Sequence, residues 1–405
     1  MPEQKQVHIA GAGIAGMSTA LALAAKGIKA ILLEKAPRPD EVGAGLQLAP
    51  NATCLLRAWG VLDNLYDHAV EPDGIDLKDG TSGKTLMHMN VQAISRKRWK
   101  APYITVHRAD LQTALKTAID KNPLIDFKTG YEITSCSGSS NSGFEAEIIQ
   151  GKIREKISGL LLASCDGVWS QMRANLSEQA VFSGYAAWRA TLALEEIPAT
   201  FLQTNGLKTV GVWTGKNGHF VAYPLKNGKV YNFVAIIHGQ NPGPVWSKDG
   251  DNSILLDSFR DWYPAITDVI NHVRQWTFWP LFKMPFPRFL GPSGEIFLGD
   301  ASHAVTPFAA QGAAMAIEDA AAFAAALSDI NLTRAEALAL FKDERCKRLK
   351  AVARRGDFNR FVYHVSGPLA FARNLVMKIR PAEKFLTDLD WLYGYDATRF
   401  LPEMA

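Results

Sequence analysis

The chain is poor in cysteine. Four thiols, Cys54, Cys136, Cys165 and Cys346, are spread over 405 residues, and no pair stands in Cys-x-x-Cys spacing. This argues against a disulfide framework, a structural zinc site and a dithiol redox centre, and predicts a reduced, cytoplasmic protein. Long apolar runs are also missing: none reaches the roughly 18 residues that a spanning helix needs. The N-terminus starts polar and passes straight into a strand-like stretch, without the charged-then-apolar order of a secretion signal. Charge of one sign is scarce, since 44 basic and 40 acidic side chains leave a net of +4. The basic runs Arg96 to Lys100 and Lys347 to Lys350 are short and read as solvated faces, so no nucleic-acid partner is expected.

What is present is ordinary globular composition, 47% hydrophobic and 21% charged, with length for two domains or one large domain carrying an inserted lobe. Val7 to Ala10 is a short apolar strand, Met17 to Lys26 an Ala-rich helix ended by Gly27, and Ile28 to Glu34 a second buried strand. Strand, turn, helix and strand within about 30 residues are the dimensions of a βαβ unit. Further on, Ala109 to Asp120 reads as an amphipathic helix. Leu124 to Tyr131, Phe144 to Ile149, Ile153 to Ile157 and Leu160 to Ser164 read as strands, with Ser137 to Gly143 as a hairpin tip. From Trp188 to Trp279 aromatic and β-branched residues alternate with polar ones, as in a sheet with one covered face. Helix-like pieces lie near Ile254 to Trp262 and Ile266 to Val273, and small-residue α/β character returns at Ile296.

The turn of the first unit, Gly11-Ala-Gly-Ile-Ala-Gly16, matches G-x-G-x-x-G in its required setting, with Glu34 about twenty residues on. Gly11 permits the tight turn, Gly13 lets backbone approach a pyrophosphate, and Gly16 lets the helix pack closely. The helix N-terminus offers free N–H groups and a positive dipole end to phosphates. Glu34 suits ribose hydroxyls, and its charge opposes a 2′-phosphate. The pattern points to an adenine dinucleotide but does not separate NAD from FAD. No second G-x-G-x-x-G follows, so a separate NAD domain is not expected.

Several other stretches carry a resemblance. Cys165 to Arg173 contains Asp166-Gly167-x-x-Ser170-x-x-Arg173. Gly299-Asp300 is followed by His303, Pro307 and the small-residue helix start at Gly312. His107 to Leu111 places Arg108 at a helix head, Gly43 to Asn51 is a loop rich in small residues, and the chain closes on Asp390 to Tyr395. In this order they resemble the single-component FAD-dependent aromatic hydroxylases of the para-hydroxybenzoate hydroxylase fold, nearest the salicylate hydroxylase and 3-hydroxybenzoate 6-hydroxylase branch. The resemblance implies an α/β fold: a Rossmann-like FAD-binding domain, an inserted mixed β-sheet substrate domain and C-terminal helices. Residues 1–70, 101–180 and 285–365 would form the FAD-binding domain, 71–100 and 181–284 the substrate domain, and 366–405 a helical tail.

The resemblance also implies a site. FAD would lie against Gly11, Gly13, Ala15 and Gly16, with Glu34 and Lys35 at the ribose end. Gly45 and Gln47 would stand beside the ring system, with Gln47 facing either flavin or substrate. Arg108 would reach phosphate or ribityl oxygens, unless it is a surface ion-pair residue. Ile133 and Asp166 complete the nucleotide side, Asp300 would accept from ribityl hydroxyls, and Gln311, Gly312, Ala313 and Ala314 would offer N–H groups to the pyrimidine edge, where reduction places negative charge. NADH or NADPH would reduce the flavin transiently, dioxygen would then form a C4a-hydroperoxide, and a small aromatic substrate would take up the distal oxygen.

His219-Phe-Val-Ala-Tyr223-Pro224 resembles the H-x-x-x-Y-P strand of that branch. At period two, His219, Val221 and Tyr223 share a face. His219 is the candidate base for a phenolic proton, against a satisfied sheet histidine. Tyr223 lines the site or packs in the core. Pro307 resembles the family proline whose carbonyl lies near C4a, where one close branch carries Gln. His303 reads as structural. Arg189 could hold a substrate carboxylate or stand as a domain-boundary arginine. The middle lobe, dense in aromatics, is expected to lie over the flavin. Rival readings are a urate or N-heterocycle hydroxylase on the same scaffold, a quinone-pathway hydroxylase docking through Pro368 to Met377, and a binding scaffold without chemistry. A monomer or homodimer without a membrane span is expected.

Overall fold

A computed structural model describes residues 6–37, 44–139, 142–174, 176, 178–243 and 247–399. Gly43 of the loop read as flavin-facing, and Ser140 and Asn141 of the hairpin tip, lie outside the described residues.

The first βαβ unit forms as its pattern requires. Strand Gln6–Ala10 leads through the glycine turn into helix Ile14–Ala24, and strand Lys29–Glu34 returns parallel to the first. Gly11 has φ +95°, and a Cβ there would stand 2.7 Å from the Cys165 carbonyl oxygen, so backbone from two strands meets at this turn. The helix begins inside the motif, earlier than the apolar run from Met17 suggests, because Gly13 already accepts the first helical bond from Met17 N at 3.0 Å.

These strands centre a five-stranded parallel sheet, ordered Ile296–Phe297, Leu161–Ser164, Gln6–Ala10, Lys29–Glu34, Ile125–Thr129. Its inner strands are mostly apolar and buried, as a sheet covered on both faces demands, while the edge strand Ile125–Thr129 is partly exposed. Helices Ile14–Ala24, Arg108–Asp120 and Gly312–Ser328 contribute to its core. The stretch Leu124 to Tyr131, which reads as one strand, is two. Gly130 at φ +81° ends the parallel strand, and Tyr131–Ser139 opens an antiparallel three-stranded meander with Gly143–Gln150 and Ile153–Gly159.

The middle of the chain builds an eight-stranded mixed sheet, ordered Lys248–Asp249, Thr277–Lys283, Val181–Ala193, Val230–His238, Gly218–Leu225, Thr209–Gly215, Gly74–Asp79, Thr85–Met89. One face packs on helices Ala199–Asn205, Asn252–Ser258 and Pro264–His272. The expected architecture, a Rossmann-like sheet with an inserted mixed sheet and a helical C-terminus, is the observed one. The 31-residue helix Arg334–His364 packs on helix Gly312–Ser328 and on strands Thr209–Gly215 and Gly218–Leu225. Helix Gly367–Ile379 then buries none of its residues and exposes Leu369, Phe371, Leu375, Val376 and Ile379. No described helix is long and apolar enough to cross a membrane.

Candidate active site

A cleft of about 380 Å³ separates the parallel sheet from the bare face of the eight-stranded sheet. It opens where strands Gln6–Ala10, Leu161–Ser164 and Ile296–Phe297 end at their carboxyl edges, the usual ligand position in open α/β sheets. One wall consists of the segments leaving those strands, with Gly13, Ala15, Gly167, Asp300, Pro307, Gly312 and Ala313, joined by Gly45 and Gln47 of strand Gly45–Leu48 and by Arg108 at the head of helix Arg108–Asp120. A Cβ added at Gly13 or Gly312 would meet no protein atom within 4 Å, so both positions leave backbone open to a flat occupant. Helices Ile14–Ala24 and Gly312–Ser328 present their N-terminal ends here, each with N–H groups that no earlier turn can satisfy.

Period-two alternation builds the other wall. His219, Val221 and Tyr223 face the cleft from one strand, and Val234 and Ile236 from its neighbour. The intervening Phe220, Ala222, Phe233, Ala235 and Ile237 point away into the lobe's core with Trp188, Trp213, Phe259 and Trp276. The lobe covers the cleft, but most of its large aromatics stabilise the lobe itself; Tyr223, Trp279 and Phe282 face the cleft, joined by Phe308 and Tyr363 from elsewhere in the chain.

Three polar side chains mark the sheet wall. His219 is buried, and its Nδ1 lies 2.8 Å from Nε2 of His364. Burial, and secondarily His364, push the His219 imidazole well below its ordinary value, so it rests neutral. Tyr223 packs so tightly that a Cβ on Gly45 would stand 2.8 Å from its hydroxyl, and burial raises its phenol. Arg189 stacks 5.2 Å from the Trp279 ring centroid, and its buried Nε has no hydrogen-bond partner. Burial lowers its guanidinium, so the site holds a cation without a described carboxylate beside it.

On the opposite wall Asp300 is exposed to the cleft yet ringed by protein. That burial raises its carboxyl against the opposing pull of His303 and Arg108. Of the sequence-predicted residues, Gly11, Gly16, Glu34, Lys35, Ile133, Asp166, Gln311 and Ala314 do not line the cleft. A Cβ on Gly16 would lie 1.8 Å from the Gly11 carbonyl oxygen, so Gly16 closes the turn. Glu34 accepts from Ala12 N at 2.7 Å and Ala36 N at 2.9 Å, beyond the inner end of the glycine turn, with Lys35 exposed beside it. Ile133 packs with Phe144, Ile148 and Phe297. Asp166 accepts from Ser164 Oγ and from Gln171 N at 3.1 Å. Burial raises its carboxyl.

Sequence reasoning missed the scaffold behind the flat wall. Glu318 and Asp319 are fully buried between Arg345 and Arg348, with Arg345 Nε 2.7 Å from Asp319 Oδ1 and Arg348 Nη2 2.7 Å from Glu318 Oε1. Burial alone would raise both carboxyls. For Glu318 the charges of Arg348 and Arg345 outweigh it, and for Asp319 those of His303 and Arg345, so both stay below the ordinary range. Asp319 also accepts from Gly299 N at 2.9 Å and holds His303 at 2.5 Å, which fixes the Asp300 turn. Asn51 bridges Glu318 to Gln311, the residue preceding helix Gly312–Ser328. Arg173 donates to the carbonyls of Ala301, Ser302 and Phe286, tying the Asp166-Gly167 stretch to the same turn. The signal was legible only as charge at odd places: an acidic pair inside an Ala-rich helix and an arginine closing a motif.

The FAD binding domain family matches residues 4–356. The chain belongs to the FAD binding domain family. Among family relatives, 3-hydroxybenzoate 6-hydroxylase 1 of Aquipseudomonas alcaligenes is 32% identical, covering 96% of this chain and 97% of its own. The 3-hydroxybenzoate 6-hydroxylase of Klebsiella oxytoca is 29% identical over 98% of both chains. A salicylate hydroxylase substrate complex shares the fold over the whole of both chains, with a TM-score of 0.81 at 18% identity. This FAD binding domain protein is accordingly a flavoprotein monooxygenase of the aromatic hydroxylase type. The bare backbone at Gly13 and Gly312 and the cleft-facing Asp300 fit such a cofactor.

Proposed function

We propose that this enzyme hydroxylates a small aromatic acid bearing a ring hydroxyl, of the hydroxybenzoate or salicylate kind, with FAD in the cleft, NADH or NADPH as reductant and dioxygen as oxygen source. The observation that carries the reading is the unpaired Arg189 guanidinium on the same sheet face as His219 and Tyr223. A carboxylate facing Arg189 would relieve a buried, uncompensated cation and place a phenol toward the histidine.

In this reading residues 1–70, 101–180 and 285–365 hold the cofactor, 71–100 and 181–284 cover the substrate, and 366–405 form the tail. Gly11, Gly13, Ala15 and Gly16 give the pyrophosphate its close approach. Glu34, with Lys35 beside it, accepts from the ribose. Ile133 backs the nucleotide side, Asp166 and Arg108 lie along the phosphates and Asp300 meets the ribityl chain. Gly45 and Gln47 flank the ring system, and Gln311 to Ala314 aim amides at its pyrimidine edge. Once reduced by NADH or NADPH, bound FAD would supply the electron-rich ring on which dioxygen is activated. The chain's own work is to orient the substrate, exclude water with Val221, Val234, Ile236, Trp279 and Phe308, and remove a proton. His219, neutral at rest, accepts the phenolic proton at Nε2, because its Nδ1 is engaged by His364. Tyr223 orients the ring, and the Pro307 carbonyl borders the reacting face.

The test is a screen of hydroxylated aromatic acids, following substrate-stimulated oxidation of NADH and NADPH with identification of products. The reading expects one extra ring hydroxyl in the product and a flavin spectrum in the purified chain. A protein that takes up no flavin, or that hydroxylates only ring systems lacking an acidic group, overturns it.

A further inference from the structure

Beside Tyr223 the sheet wall and the backbone wall of the cleft are tied together by a side chain that does not itself line the cleft. Asn232 stands directly opposite Tyr223 on the neighbouring strand and is buried. Its Oδ1 accepts from Gly45 N at 3.0 Å. A backbone N–H can only donate, so this bond settles which end of the amide is oxygen and turns Nδ2 to the other side. Nδ2 is also a donor only, and it is buried without a hydrogen-bond partner, a costly state for an amide. The Tyr223 hydroxyl stands beside it: the point where a Gly45 Cβ would sit lies 2.8 Å from both Asn232 Cγ and Tyr223 Oη. Burial raises the Tyr223 phenol against the opposing pulls of Arg189 and of the Asn232 amide, so the hydroxyl keeps its proton and feels both neighbours.

We propose that Asn232 is a positioning residue that makes Tyr223 a one-way hydrogen-bond donor to the substrate's carboxylate. The inference rests on the proposed function. A tyrosine hydroxyl has one proton and oxygen lone pairs, and left alone it rotates to suit either a donor or an acceptor. An amide N–H directed at its oxygen occupies a lone pair and cannot accept, so the phenolic proton must turn elsewhere. The side left to it is the cleft, which Tyr223 lines together with Arg189. Arg189 likewise only donates, and its Nε is unpartnered. Two fixed donors on one face suit an anionic oxygen and disfavour a group that must itself donate. Because the Asn232 amide is anchored on Gly45 N, strand Gly45–Leu48 of the cofactor wall sets the direction of a proton on the substrate wall.

The test is a double-mutant cycle on flavin-loaded protein with Asn232→Leu, Tyr223→Phe and the double variant. Leucine fills similar space without hydrogen-bonding, and phenylalanine removes the hydroxyl that is to be aimed. Dissociation constants are read from the flavin absorbance change on adding 3-hydroxybenzoate, and again with 3-methylphenol, which has the ring hydroxyl and no carboxylate. Positioning expects Asn232→Leu to weaken 3-hydroxybenzoate roughly 3- to 10-fold, Tyr223→Phe about 10-fold, the double variant no more than Tyr223→Phe alone, and 3-methylphenol to shift less than about 2-fold throughout. If Asn232→Leu costs nothing, costs the same again on the Tyr223→Phe background, or weakens 3-methylphenol equally, the amide merely holds the Gly45 strand; the inference is overturned and the proposed function stands. A wild type that binds no hydroxylated aromatic acid overturns the proposed function, and this inference with it. Should Asn232→Leu lose flavin or fail to fold, ultraviolet Raman difference spectra of ligand-free wild type against Tyr223→Phe decide. A Tyr223 ring doublet characteristic of a hydroxyl that accepts a hydrogen bond supports the inference, and one characteristic of a hydroxyl that accepts none overturns it.

Discussion

The two walls of the cleft are made of different materials. The wall beneath is backbone, exposed where Gly13 and Gly312 carry no side chain and where two helices begin. The wall above is side chain, with His219, Tyr223, Val234 and Ile236 delivered by alternation along paired strands. Backbone donors are held by the secondary structure that carries them and vary little with side-chain identity, which suits a cofactor that stays the same from turnover to turnover. Side chains on a sheet can be exchanged singly without disturbing the ladder, which suits a substrate that differs among relatives. The division teaches where to look: changes below should read out in cofactor retention, and changes above in turnover and substrate choice.

His219→Ala should give the largest effect, lowering hydroxylation by roughly 100- to 10,000-fold while flavin content of the purified protein stays at the wild-type level. Flavin loss in parallel with activity would merge the two walls. Arg345→Ala tests the frame behind the lower wall. Stranding Glu318 and Asp319 without their shared partner should cost about 3–5 kcal/mol in urea unfolding. The same pair makes stability depend on acid. Their folded-state carboxyls lie below ordinary values, so their contribution is full above the unfolded carboxylate range and is lost as pH falls through the folded one. Histidine adds in the same direction. Between 6.5 and about 4 the unfolded chain protonates His364 and the folded chain does not, so stability falls across that window. Unfolding midpoints that rise on acidification would contradict both assignments.

Asp300→Ala should weaken flavin retention by roughly 10- to 100-fold, measured by flavin release into an ultrafiltrate, with KM for the aromatic acid little changed in the flavin-loaded fraction. Arg189→Gln should do the converse by a comparable or smaller factor, raising KM for carboxylate-bearing rings while a neutral phenol of the same shape is handled as before. If Arg189→Gln loses flavin and leaves KM alone, the arginine belongs to the cofactor wall.

The lower wall was legible in the sequence because its requirements are local. Gly11, Gly13 and Gly16 must sit at fixed spacing on one turn, and Asp300 must follow one strand directly. The strand face of His219 and Tyr223 was equally legible from period two. The buried cluster of Glu318, Asp319, Arg345 and Arg348 was not, since its pairs are separated by 26 to 30 residues along the chain. In a sequence such charges look like those on a solvated helix. Which face the lobe's aromatics take was not legible for a related reason: composition counts rings but not their direction, and burying large apolar area behind the sheet is worth more than lining a cleft with it.

By itself the sequence determined the nucleotide turn, the order of strands and helices, the flavoprotein family and which strand carries the histidine. The turn, the elements and the strand face follow from chain-neighbour sterics and from periodicities of two and 3.6, whereas the family was legible through the resemblance of several motifs in order. Only the tertiary structure decided that Arg189 stands unpaired beside Trp279, that His219 touches His364 across 145 residues, and that four buried charges brace the Asp300 turn. Each depends on which surfaces pack together, and desolvation then sets how a charge behaves there, a quantity that no stretch of chain carries alone.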